Sequence, residues 1–223
     1  MDRQPSFSAR KLVVDERGAV LVEVTVVMTI MLVFLLGAIE FLFVFYQRNV
    51  AAKAVQVGSR IAAVSDPVAR GLNQMTLAVL GPAVPPGAAM PEFVVTCDGG
   101  LASCICTGSG CPGEISYNAA AMNTIVFGRG SLACGDATSI YDAGMCDVFS
   151  GITPANVVVT YVQSGLGFAG RPGGPVPTIA ISLQGIRWKF FFLGGLLGFN
   201  DLRMPALTTS ITAEDLSSGA PAF

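Results

Sequence analysis

Two carboxylates sit in the single long apolar stretch of this chain: Glu23, five positions past Gly18, and Glu40 at the far end. Carboxylates are expensive inside a membrane-grade segment, so each calls for a chemical reason. Acid–base work by a pair is the first chemistry to test. The two lie 17 residues apart, which on a helix is about 25 Å along the axis and roughly 100° in rotation. They cannot share a proton or flank one substrate, so each is read on its own. Histidine is absent from the chain, which removes Ser-His-Asp and Cys-His nucleophilic catalysis, His-ligated zinc and the commonest general base near neutral pH. Asp136, Asp142 and Asp147 read as carboxylates on solvated loops. With no nucleophile–base constellation, metal-ligand set or phosphate loop, the sequence reads as non-enzymatic.

The second set of reactive side chains is Cys97, Cys104, Cys106, Cys111, Cys134 and Cys146, all downstream of the apolar stretch. An even number placed there fits a disulfide-stapled domain in an oxidising compartment, and sequence leaves the pairing open. Cys104-Ile-Cys106 with Cys111 invites a metal reading. Zinc ribbons use paired C-x-x-C knuckles and the iron–sulfur spacings differ, so disulfides are preferred and neither a metal nor a cofactor is expected.

The element that must position the carboxylates is a helix. Val24 to Ile39 is 16 residues without a charge, about 24 Å as a helix, and extension from Ala19 to Tyr46 gives about 40 Å, enough to cross a bilayer. Phe41, Phe43, Phe45 and Tyr46 resemble an interfacial aromatic belt beside Glu40, which reads as a membrane-boundary residue reaching toward headgroups or water. The apolar run is too long, and too aromatic at its end, for a removable secretory signal. Arg3, Arg10, Lys11 and Arg17 precede it, and Arg48, Lys53 and Arg60 follow. That bias toward a cytoplasmic N-terminus is slight, and the cysteines break the tie by placing residues 47–223 outside the cytoplasm.

Beyond the membrane, Val50, Ala54, Val57, Ile61, Val64 and Val68 recur at spacings of three and four, with Arg48, Lys53, Gln56 and Arg60 on other faces. This predicts an amphipathic stalk helix over 47–66, stopped by Pro67. Residues 81–91 are a Pro- and Gly-rich linker. Strands are expected at 92–96, 124–127, 156–163, 178–183, 186–192 and 207–212, and loops at 165–177 and 193–205. The segment 97–146 reads as a stapled loop region with little regular structure. The fold class is therefore α+β: a transmembrane helix over 19–46, the stalk, and a small β-rich extracytoplasmic domain over 67–223. A second apolar run, Phe190 to Phe199, is too short to span a bilayer. It reads as a core strand plus loop, with a membrane-surface or subunit contact as the alternative. Net charge is −2 with no basic block, so no nucleic acid is expected as partner, and no small-molecule substrate either.

A short basic leader ending in glycine, followed by an apolar helix with glutamate at the fifth position, resembles the processing site of type IV prepilins. The run 17–64 resembles more closely the TadE-like proteins, pseudopilin or minor-pilin components of Tad (Flp) tight-adherence pilus systems. The resemblance rests on Arg17, Gly18, Val22, Glu23, Gly37, Glu40, Phe41, Tyr46, Gly58 and Arg60, and residues 207–215 look like the closing strand of such proteins. Two positions depart from the family pattern: Val24 stands where Flp-type sites often have an aromatic residue, and Thr29 where many relatives carry proline. The resemblance implies that residues 1–18 are a cytoplasmic leader, cut by a prepilin peptidase between Gly18 and Ala19. It implies that Glu23, one turn from the new Ala19 amine, sets subunit register by pairing with a neighbour's N-terminus. The implied partners are the lipid bilayer, the prepilin peptidase, other Tad pilins and the inner-membrane platform. The implied place is the bacterial inner membrane, single-pass, with the C-terminal domain periplasmic. The alternative is an uncleaved, signal-anchored extracytoplasmic binding or sensing domain.

Overall fold

The computed structural model describes residues 16–75, 80–81, 83–111, 113–171, 174–188, 190, 192, 194–195, 198, 202–213 and 216. Most of the leader, including Arg3, Arg10 and Lys11, and the end of the 207–215 segment lie outside the described residues. The architecture is mixed α+β: a long apolar N-terminal helix followed by a β-rich domain with three disulfides.

Helix α1 runs unbroken from Glu16 to Ala63. Within it the Thr29 hydroxyl donates to the Thr25 carbonyl at 2.7 Å. Thr25 does the same toward Val22 at 2.8 Å. Each hydroxyl is thereby satisfied within the helix. The helix ends at Ala63 rather than at Asp66, with a last turn closed by Val64 N–H on the Ile61 carbonyl at 3.2 Å.

The elements after the helix are β1 (Ala69–Arg70), β2 (Val94–Asp98), β3 (Ser103–Thr107), β4 (Ser116–Tyr117), α2 (Ala119–Phe127), α3 (Met145–Val148), β5 (Val157–Gln163), β6 (Pro177–Leu183), β7 (Arg187–Trp188), β8 (Leu202–Arg203) and β9 (Leu207–Thr212). The main sheet is antiparallel, in the order β3-β2-β5-β6-β9. Strict alternation along β5 and β6 turns Val157, Val159, Tyr161, Ile179, Ile181 and Leu183 inward, all fully or nearly fully buried. Two short pairs, β1 with β4 and β7 with β8, complete the strand pairing among the described residues.

Three expectations are corrected here. Thr124 to Phe127 is not a strand but the end of α2. Asn118 caps this helix by accepting from Ala121 N–H at 3.3 Å, and Met122, Ile125 and Val126 are buried from it. The segment 97–146 is more regular than expected, since it contributes β3, β4, α2 and α3. The strand expected over 186–192 ends at Trp188, paired to Leu202.

The cysteines pair as Cys97–Cys104, Cys106–Cys111 and Cys134–Cys146. Each closes a short loop, and Cys97 and Cys104 are direct cross-strand partners in β2 and β3. Asp147 is not simply a solvated carboxylate. It is half-buried and accepts from Gly135 N–H at 2.7 Å and Gly144 N–H at 2.8 Å, which pins the loop around the third disulfide.

The described residues fall into two compact units. One comprises the chain up to Phe45 with Lys189–Asn200, the other Tyr46–Trp188 with Asp201–Phe223.

Candidate functional site

In the helix unit, Gly18 and Ala19 occupy the first turns of α1 and are exposed. A Cβ built on Gly18 meets nothing within 4 Å. Glycine in a helix weakens it by about 1 kcal/mol relative to alanine. Glu23 lies one turn further on and is also exposed, on a surface otherwise made of Val20, Leu21, Val22, Val24, Val26 and Val27. Because α1 is uninterrupted, Glu23 and Glu40 stay about 25 Å apart and perform no joint chemistry.

Glu40 is in a different environment. Its side chain is only 3% exposed, and its Oε1 accepts from the Phe192 N–H at 3.1 Å. The expectation of a carboxylate reaching outward to headgroups or water is not what the fold shows. Around it, Val33, Leu36, Gly37 and Val44 are half-buried while their neighbours on α1 are exposed. These positions, with Glu40, follow spacings of three and four and make one stripe along the helix. Phe41, Phe43, Phe45 and Tyr46 lie on its outer surface, between 41% and 64% exposed.

The second apolar run is corrected by the same contact. Its described residues, Phe190, Phe192, Gly194, Gly195 and Gly198, cluster with the N-terminal helix and not with the core of the β-rich unit. Sequence reasoning missed the Phe192 amide as a partner. The only signal available was an uncharged run with no place in a soluble core.

In the β-rich unit, the remaining helical turns bury a stripe of small side chains: Ala51, Ala54, Val55, Gly58, Ser59 and Ala62. It is displaced by about one residue from the expected stripe, whose Val50, Val57, Ile61 and Val64 are half-buried flanks. Gly58 shows why. A Cβ there would meet Met145 Sδ at 2.5 Å and Ile125 Cγ2 at 3.4 Å, so the backbone packs directly on α2 and α3. Arg48, Lys53, Gln56 and Arg60 face solvent. At the end of the helix, Val68 N–H donates to the Tyr161 hydroxyl at 2.9 Å in the fully buried interior. Burial holds that phenol far above its ordinary pKa, with the Val68 hydrogen bond acting in the opposite, smaller sense.

No curated protein and no solved structure matches the chain. A family model does, over the helix just described. Residues 18–60 match the model described as TadE-like protein, so over this N-terminal helical segment the chain is similar to that family.

Proposed function

We propose that this chain is a non-enzymatic, membrane-anchored pseudopilin or minor pilin of a Tad-type pilus system. It acts by lateral packing of α1 after removal of residues 1–18. The observation that carries this reading is Glu23, an exposed carboxylate on an otherwise apolar helix surface, five residues past a glycine with open space around it. A prepilin peptidase cutting after Gly18 leaves the Ala19 amine, and glycine admits the backbone to a tight site without a side-chain clash. Glu23 then presents a negative charge at the depth of a neighbouring subunit's new ammonium. Such pairs, costly singly and tolerable together, are best attested as devices that fix register.

The helix from Gly18 to Ala63 is long and apolar enough to cross a membrane. In this reading its N-terminus is cytoplasmic and the disulfide-bonded domain lies on the oxidising side of the bacterial inner membrane. The partners are the prepilin peptidase, other Tad pilins or pseudopilins, and the membrane platform they assemble on.

The test is the N-terminal sequence of the protein recovered from membranes, with and without the cell's prepilin peptidase. Peptidase-dependent appearance of a chain starting at Ala19 is expected. A start at Met1 or Asp2 in both strains would overturn the pilin reading in favour of an uncleaved, signal-anchored binding domain.

A further inference from the structure

Glu40 and Phe192 meet at one point, and the register role proposed for Glu23 explains neither. The Phe192 amide donates to the Glu40 carboxylate at 3.1 Å, and that carboxylate is nearly sealed from the surroundings. The Phe192 side chain, by contrast, is 51% exposed.

We infer that Phe190 and Phe192 belong to a membrane-inserted clasp: they lie in the outer leaflet alongside α1, with Phe192 in contact with acyl chains and fastened through its backbone to Glu40. This rests on the membrane-spanning reading of α1 and goes beyond the pilin role. The occupant is lipid because the segment clusters with a stretch of helix whose surface is lipid-grade. Phe34, Ile39, Phe41 and Leu42 are each more than half exposed. The run carries no charge and is too short to span the bilayer by itself.

Depth agrees with this placement. From Ala19 to Glu40 the helix rises about 32 Å, against a hydrocarbon core of about 30 Å, so Glu40 falls at the far interface. The half-buried stripe runs from Val44 back to Val33, about 10 Å inside that level. Non-helical backbone at membrane depth is tolerated only where protein groups satisfy it. Glu40 supplies an acceptor to an amide that lipid would leave bare, and the amide supplies a donor to a carboxylate that lipid would penalise. Each removes the other's desolvation problem.

The test uses the full-length chain with Phe192→Trp in phosphatidylcholine vesicles, with and without bromine on the acyl chains. The unmodified protein, whose Trp188 is buried, gives the baseline. Expected are a blue-shifted emission from the introduced tryptophan and added quenching by brominated lipid. Adding Glu40→Ala should abolish the extra quenching while the protein still resists alkaline extraction and keeps its disulfides. Absence of added quenching, as for a segment in water or against a second copy, would overturn the clasp. So would quenching that persists in the Glu40→Ala variant. Release of the protein by alkaline wash would instead indict the membrane-spanning reading, which separates the two failures.

Discussion

One helix carries two kinds of surface, and the difference matches the two solvents that the proposed membrane anchor would meet. Over residues 19–45 nearly every side chain is exposed, whatever its size, and the hydroxyls of Thr25 and Thr29 bond within the helix. Over residues 46–63 large side chains flank a buried stripe of Ala, Gly and Ser, and charges collect on the opposite face. An apolar surface all round is what a lipid environment permits, whereas a one-sided stripe is what a protein interface in water requires. The small residues of the second half allow backbone-close packing, as Gly58 on Met145 demonstrates. The two carboxylates follow the same division: Glu23, in the open half, is exposed, and Glu40 is closed off.

The sharpest way to break this comparison is to remove the open carboxylate. Glu23→Ala is expected to abolish pilus assembly while membrane insertion and leader removal persist, scored by sheared pilus yield beside membrane fractionation. Normal piliation by that variant would sink the register role. The packed half should respond through stability instead. Replacing both Cys97 and Cys104 by alanine removes a cross-strand staple closing a short loop, worth about 2–3 kcal/mol in the chain-entropy account. A lowered melting temperature of the domain in detergent, with insertion unchanged, is the expected outcome. No change would mean that the β2–β3 ladder holds without the staple.

How much of this was readable beforehand follows the range of the signals. The helix and its position were legible because uncharged length and basic flanks are local properties. The strand over 207–212 was legible for a similar reason, and Leu207–Thr212 forms as expected. Thr124-Ile-Val-Phe misled because β-branched residues suggest a strand, while Asn118 and three successive alanines start a helix whose buried face then holds it. The stalk stripe was misplaced because large apolar residues were taken to mark the interface. Close backbone approach excludes them, so they line its edges. The Glu40–Phe192 contact joins residues 152 apart, and nothing local to either announces the other. The pairing of the cysteines was equally out of reach, since strand register decides that Cys97 faces Cys104.

Two glycines of the family-matched segment sharpen the comparison at a smaller scale. Gly18→Ala fills open space and adds at most about 1 kcal/mol of helix propensity without disturbing the packed domain, so the domain's melting temperature should not fall while leader removal is lost. Gly58→Leu must displace Met145 and crowd Ile125, an overpacking cost of about 1–3 kcal/mol. Thermal melting of the full chain in detergent, followed by Trp188 fluorescence, separates the two. Equal melting temperatures for both variants would contradict direct packing of the helix backbone at Gly58.

The smallest effect is confined to alkaline pH and probes the place where the packed half ends. Tyr161 accepts from Val68 N–H just beyond the helix, and its burial raises the folded phenol's pKa above the ordinary value of 10.0. The unfolded chain therefore releases that proton first as pH rises. The stability associated with the neutral phenol is complete below about pH 10 and declines above it, because the fold retains a proton that the unfolded chain has lost. Tyr117 is shifted the same way by burial and by Asp98, so part of the slope belongs to it. Tyr161→Phe should flatten the larger part of the alkaline slope. It should also lower stability at neutral pH by about 1–3 kcal/mol, since Val68 N–H is left buried without its acceptor. Denaturant midpoints measured across pH 8 to 11 would show both changes at once. An unchanged alkaline slope would mean that Tyr161 is not the group whose ionisation opens the domain, and that the helix end is held by packing alone.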